Sequence, residues 1–157
     1  MNSCYFAYGS NMSESQMKER CPKYKKIGIA KLENYELTFP RKSKKRSCGV
    51  SSVDPKDGKE VWGVVYELNE DDFASLDEEE GYRQTRAPNE NSYNREQIKV
   101  SVEGMKDPLE CWTYIAVREV GSFKPNKKYM DAILAGAREN HLPEFYIGAL
   151  GVIQVQD

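Results

Sequence analysis

The sequence predicts an α+β fold with a barrel-like sheet, and three observations predict it. Short apolar runs of strand character recur between turn signals from residue 3 to residue 68, and again from 97 to 117. Helical spacing is confined to a few short stretches between and after these runs. Roughly six or more strands in so small a chain curl or close to protect their edges. The elements alternate as strands, helix, strands, helix. No repeat or low-complexity segment interrupts them, and residues 1–157 read as a single domain.

Each element has its own signal. Ser3–Tyr8 is a first strand. Ser13-Glu14-Ser15-Gln16 has the pattern of a capping box and opens a short helix ending near Cys21-Pro22. Ile27–Leu32 and Tyr35–Phe39 read as successive strands, with Tyr35, Leu37 and Phe39 on one face. Arg41–Arg46 is a basic loop. Val50–Val53 resumes a strand, and Asp54-Pro55-Lys56-Asp57-Gly58 signals a turn. Val61–Leu68 is the most hydrophobic run and predicts a central strand, in which Gly63 marks a bulge or a close neighbour. Asn69 caps a helix over Glu70–Glu80, with acids in its first turn, and Gly81 ends it. The polar stretch Tyr82–Asn94, broken by Pro88, is a long loop. Gln97–Glu103 and Glu110–Val117 form a hairpin across the Gly104–Pro108 turn. Pro125 precedes a helix running to Glu139, Pro143 starts another through about Leu150, and Val152–Val155 reads as a last short strand.

Composition narrows the function. With hydrophobic residues at 39% and charged residues at 31%, this is a globular chain rather than a disordered one. A net charge of −2 gives no overall drive toward nucleic acid or an anionic membrane. No apolar run approaches a membrane span, and Met1 leads into a strand with no signal-peptide pattern, so a cytoplasmic location is expected. Cys4, Cys21, Cys48 and Cys111 form no Cys-x-x-Cys pair, and the single histidine, His141, cannot supply a multi-histidine zinc site; no metal and no cofactor is expected. His141 falls at a helix C-terminus, where the macrodipole favours it, and no Gly-x-Ser-x-Gly nucleophile motif accompanies it.

Two segments carry chemistry. Tyr8-Gly9-Ser10-Asn11-Met12 takes a strand into a tight turn whose backbone N–H groups can face a ligand. Leu76-Asp77-Glu78-Glu79-Glu80-Gly81 places a carboxylate, Glu80, directly before a glycine. Amide donors plus one positioned carboxylate suffice for acyl chemistry without a covalent intermediate. Read without context, Gly9-Ser10-Asn11 is also an ordinary turn, and Asp77–Glu80 is also a solvated acidic face. Ser10 has no base beside it in the motif and is assigned to binding.

Together these residues resemble the γ-glutamylcyclotransferase family. Phe6–Met12 is similar to its Tyr-Gly-Ser-Asn signature, Glu60–Tyr66 to its central strand, and Ser75–Gly81 to its acidic motif. The resemblance continues through Tyr129 and Gly136–Pro143 and so spans nearly the whole chain. It implies a small mixed β-barrel flanked by helices, and conversion of a γ-glutamyl amine to 5-oxoproline and the free amine. It also implies that Tyr8, Gly9, Ser10, Asn11 and Met12 bind the γ-glutamyl group, that Glu80 is the acid/base, with Glu78 second to it, and that Tyr93, Tyr114 and Tyr129 line the pocket. One departure stands out: the segment between Gly81 and Tyr93 is longer than the family pattern, which bears on the Tyr93 match and on the acceptor side of the pocket.

The implied reaction accounts for the absence of a nucleophile motif. The substrate's own α-amine attacks its own γ-carbonyl, so proximity is built into the substrate. A single carboxylate can take a proton from the α-ammonium and return one to the leaving amine. Three other readings compete. One keeps the chemistry but removes a γ-glutamyl group from a biosynthetic intermediate, as a butirosin-type cyclotransferase does. Another is a non-catalytic small-molecule-binding module of the same fold. The last is a nucleic-acid-binding barrel, resting only on Arg41–Arg46, a run with no interleaved aromatics that reads better as a solvated loop. The expected partner is a small γ-glutamyl substrate, with no nucleic acid and no membrane; the oligomeric state is left open.

Overall fold

A computed structural model describes residues 2–156. Its strands are β1 (Ser3–Ala7), β2 (Lys25–Ser43), β3 (Cys48–Leu68), β4 (Tyr93–Val102) and β5 (Leu109–Ala116). Its helices are α1 (Glu14–Arg20), α2 (Glu70–Glu80), α3 (Lys127–Glu139) and α4 (Glu144–Gly151), with single 3-10 turns at Ser10–Met12 and Pro88–Glu90. The strands close a barrel in the order β1-β3-β2-β4-β5. β1 pairs antiparallel with β3, and one parallel pair, Tyr5 with Trp112, joins β1 to β5 and completes the ring. Side chains reinforce that join: Thr113 Oγ1 donates to the Phe6 carbonyl (2.8 Å), and the Tyr8 hydroxyl donates to the Tyr114 carbonyl (2.5 Å).

Five strands close the ring rather than six or more, because runs read as separate strands merge. Ile27–Leu32 and Tyr35–Phe39 are parts of β2, and Val50–Val53 and Val61–Leu68 are parts of β3. The turn residues between them are absorbed as an irregularity in one long hairpin. Glu33 pairs with Glu60 and Tyr35 with Pro55, so residues 56–59 swing out opposite Asn34 alone. Asn34 adopts positive φ, and its side-chain oxygen accepts from the Gly58 N–H (3.1 Å). The same turn chemistry thus makes a bulge instead of a chain reversal. The C-terminal stretch 152–155 forms no strand. Gln156 instead ties back to the Pro125 carbonyl through its N–H (2.9 Å).

The core fills the barrel and the space beneath the helices. Phe6, Val61, Val64, Val65, Tyr66 and Leu68 are fully buried between β1 and β3 and their neighbours. At Gly63 a Cβ would lie 2.2 Å from the Ala7 carbonyl oxygen, so this position requires glycine for close strand approach. α3 presents Tyr129, Met130, Ile133, Gly136 and Ala137 inward. At Gly136 a Cβ would meet Met12 Cβ at 2.9 Å, so the small residue lets α3 press directly on the 3-10 turn after β1. No helix among the described residues is long and apolar enough to cross a membrane.

Candidate active site

The turn after β1 sits outside the sheet ladder, which β1 leaves at Ala7. Gly9 has no room for a side chain: a Cβ would lie 2.6 Å from Ser51 Oγ. Ser10 and Asn11 begin a single 3-10 turn, whose first N–H groups have no acceptor within the turn itself. Met12 is different. Its N–H donates to the Gly9 carbonyl (3.1 Å), and its carbonyl accepts from Tyr66 Oη (3.1 Å) and Asn140 Nδ2 (2.7 Å). Its side chain is fully buried. Met12 therefore anchors the turn from behind, whereas Tyr8, Gly9, Ser10 and Asn11 face a cavity of about 750 Å³.

α2 brings the carboxylates to that cavity. Asn69 caps it, its side-chain oxygen accepting from the Asp72 N–H (2.7 Å), and Gly81 ends it in the left-handed conformation at φ 70°. Asp77 and Glu80, three residues apart, share one helix face. Glu78 and Glu79 are exposed; Glu80 and Asp77 are half-buried. Asn11 Nδ2 donates to Glu80 Oε1 at 3.2 Å and to the Tyr5 hydroxyl at 2.8 Å. On the other side of the same amide, Asn11 Oδ1 accepts from Gln16 Nε2 (2.6 Å) and Arg20 Nη1 (2.8 Å). This corrects the capping-box expectation. Ser13 does precede α1, but its side chain makes no cap bond, and Gln16 turns to the loop instead.

Burial raises the Glu80 carboxyl above the ordinary glutamate range, against the opposing pull of the Arg20 guanidinium, the Asn11 hydrogen bond and Arg46. Arg20 stands 4.0 Å from Glu80 and 3.6 Å from Glu79. Burial likewise raises Asp77, against the Tyr114 hydroxyl, which donates to it at 2.6 Å, and Arg95 at 3.6 Å. The Tyr114 phenol is thus committed to Asp77, whereas an amide, Asn11, serves Glu80.

Tyrosines complete the lining. Tyr8, Tyr93, Tyr114 and Tyr129 all reach the cavity, and burial pushes every one of these phenols up, so they remain neutral donors. Ser51, on β3, gathers three of them. Its carbonyl accepts from Tyr93 (2.6 Å) and more weakly from Tyr8 (3.4 Å), while its hydroxyl lies 2.8 Å from Tyr129 Oη and its N–H donates to that oxygen (3.0 Å). The long segment 82–92 touches the cavity only at its last residue, Ser92. It is folded against itself by buried Asn91, whose side chain bonds both the N–H and the carbonyl of Arg83.

A match to the AIG2-like family model covers residues 60–150. The chain is 32% identical to mouse γ-glutamylcyclotransferase, over 96% of this chain and 78% of that protein. It is also 32% identical to the human protein of that name, over 98% of this chain and 79% of the other. The chain belongs to the γ-glutamylcyclotransferase family. A solved γ-glutamyl cyclotransferase structure, 30% identical, superposes with a TM-score of 0.89 over 100% of this chain and 90% of its own.

Within this γ-glutamylcyclotransferase fold several residues stand at the cavity that sequence reasoning passed over: Tyr5, Arg20, Ser51 and the basic segment Arg41–Arg46. The basic segment is a loop only in part, and its exposed lysines also border the cavity. Arg41–Ser43 end β2, the tip turns at residues 44–47, and its side chains border the cavity. Arg46 stacks over the Tyr129 ring at 4.7 Å and donates to Ser10 Oγ at 3.4 Å. The one signal available in sequence was charge density, which is the same for a solvated loop and for a pocket rim. His141 lies away from this cavity, exposed, with positive φ just beyond α3.

Proposed function

We propose that the protein is a γ-glutamylcyclotransferase that cyclises a γ-glutamyl amine to 5-oxoproline and releases the free amine, with Glu80 as its general acid/base. The observation that carries this reading is the meeting of Glu80 with Asn11. Two segments 69 residues apart join a desolvated carboxylate to the Gly9–Asn11 turn at one cavity.

The geometry suits each step. Glu80, ionised above its raised pKa, takes a proton from the substrate's α-ammonium. The freed amine attacks the γ-carbonyl carbon and closes a five-membered ring, forming the new C–N bond while the carbonyl π pair moves to oxygen. The N–H groups of the Gly9–Asn11 turn are the fixed donors for that oxyanion. Collapse re-forms the carbonyl and breaks the old C–N bond as protonated Glu80 gives its proton to the leaving nitrogen; the second proton that the ring nitrogen must shed to become a neutral lactam then passes by way of Glu80 to the freed amine, which departs as an ammonium ion. The neutral phenols of Tyr8, Tyr93 and Tyr129 pack against the glutamyl methylenes. A butirosin-type role uses the same steps on a different amine. The intact carboxylate at position 80 weighs against a purely binding role. We place the enzyme in the cytoplasm, in keeping with its four free cysteines.

The test is 5-oxoproline release from several γ-glutamyl amines. Glu80→Gln keeps the Asn11 contact and removes the proton acceptor, and turnover should fall by about two to four powers of ten with the fold intact. Near wild-type activity in Glu80→Gln beside an inactive Glu78→Gln would move the role to Glu78. No 5-oxoproline from any γ-glutamyl amine would overturn the assignment.

A further inference from the structure

The cavity is far more basic than the protein that contains it. The chain carries a net charge of −2, yet seven of its cationic side chains line this one cavity: Arg20, Arg41, Lys42, Lys44, Lys45, Arg46 and Lys128. Only four carboxylates accompany them there: Glu78, Glu79, Glu80 and Glu119. The three arginines are already engaged, Arg41 through the Val117 carbonyl (3.2 Å). Arg20 holds Asn11 and faces Glu79 and Glu80, and Arg46 lies over Tyr129 beside Ser10. Farther out, Lys42, Lys44 and Lys128 are exposed and form no ion pair among the described residues, and Lys45 reaches Glu79 only at 3.9 Å.

The backbone that carries these lysines is pinned from behind. Ser43 receives the Arg46 N–H on its hydroxyl (3.1 Å) and the Ser47 N–H on its carbonyl (2.8 Å). Asn126 donates to the Arg46 carbonyl (3.1 Å), Gln156 donates to the Ser47 carbonyl (2.9 Å), and Gly49 donates to the Lys124 carbonyl (2.8 Å). Like charges held together in this way repel one another, and an anion between them relieves that repulsion.

Resting on the cyclotransferase reading above, we infer that the preferred substrate carries more than one anionic group on its leaving half, as in a γ-glutamyl acidic amino acid or acidic peptide. The carboxylate on the glutamyl α-carbon is common to every γ-glutamyl substrate, and Arg46, beside the Ser10 turn, is placed to serve it. In this reading the leaving amine's substituents extend toward the exposed part of the cavity lining, where Lys42, Lys44 and Lys128 lie. They act on the bound leaving half by charge and on its capture by steering, so the preference falls chiefly on KM and weakens with salt.

The experiment measures 5-oxoproline release from a γ-glutamyl alkylamine, γ-glutamyl-alanine, γ-glutamyl-glutamate and γ-glutamyl-O-phosphoserine. The expected order of kcat/KM places the alkylamine last and the doubly anionic leaving halves first, by about tenfold or more at low salt. A lead for γ-glutamyl-glutamate supports an acidic amino acid or peptide, whereas a lead for the phosphoserine substrate replaces it with a phosphorylated amine. The combined variant Lys42→Gln, Lys44→Gln, Lys128→Gln should shrink the preference for γ-glutamyl-glutamate over γ-glutamyl-alanine, with an unchanged melting temperature. Release from all four without ranking by charge, or a ranking untouched by the variant and by salt, overturns this inference and leaves the cyclotransferase assignment standing. Release from none overturns both.

Discussion

At Asn11 one side-chain amide carries four hydrogen bonds, and their polarity fixes which end faces the acid. Arg20 can only donate to it and ionised Glu80 can only accept from it, so its oxygen turns toward Arg20, where Gln16 Nε2 also donates, and its N–H₂ toward Glu80 and the Tyr5 hydroxyl. That donor favours the ionised form of Glu80 and holds down a pKa that burial raises. Asn11→Asp removes the donor and adds a like charge, and both changes raise Glu80 further. On the proposed mechanism Glu80 must be unprotonated to accept the ammonium proton, so activity should rise with pH through its pKa. The acidic limb of kcat/KM should therefore move to higher pH in Asn11→Asp, and a pH–rate profile measures it. An unshifted limb would assign that limb to another group. Sequence reading found Glu80 and Asn11 as separate candidates, because each lies in a motif of its own. That the fold joins the two motifs was expected; the particular Asn11–Glu80 bond and its support from Gln16 were not, because Gln16 has a local explanation as a capping residue that the folded chain does not use.

Among the elements, α2 shows how far capping chemistry carries. Asn69, three acids in the first turn and a left-handed glycine at the end specify a helix whose observed bounds equal the expected ones. Gly81 sits directly after Glu80, so the device that stops the helix also sets where the carboxylate points. Gly81→Ala must hold φ near 70° and bring a Cβ to 3.1 Å from Ser92 Cβ. It should cost about 1–2 kcal/mol in thermal or urea unfolding, and lower kcat more than the milder Asn69→Ala, expected to cost about 1 kcal/mol. The long hairpin of β2 and β3 was less readable. Pro, Gly and Asp at 54–58 signal a break, and only the partner strand decides whether the break becomes a chain reversal or a bulge. The same limit applies to Arg41–Arg46, where charge was plain and the wall it joins was not.

For the whole molecule, the site depends on how tightly the ring is drawn. β1 delivers Tyr5, Tyr8 and the Gly9–Asn11 turn, and it can lie against β3 only because Gly63 has no side chain. Gly63→Ala puts a methyl group 2.2 Å from the Ala7 oxygen, and relief requires β1 to shift. The expected destabilisation is about 2–4 kcal/mol in denaturant unfolding, with activity lost in whatever fraction remains folded. The barrel class was readable from the many short apolar runs. Its strand order was not, because the closing contact joins Tyr5 to Trp112, parts of the chain that no local pattern connects.

The β1–β5 join also predicts where the protein breathes. One ladder pair, with side-chain contacts that include two hydrogen bonds and the Tyr5–Tyr114 ring contact, closes it, whereas β2 and β3 are zipped along nearly their whole length. Amide deuterium uptake should therefore appear at residues 5–8 and 112–114 before it reaches residues 61–66, because subglobal opening begins where the fewest ladder bonds must part. A γ-glutamyl ligand or 5-oxoproline seated against Tyr8 and Tyr114 would bridge both lips of this seam. Occupancy should slow exchange there selectively, making closure of the ring and retention of the ligand a single coupled equilibrium. Uniform protection across the sheet, with or without ligand, would show instead that the ring opens only as a whole.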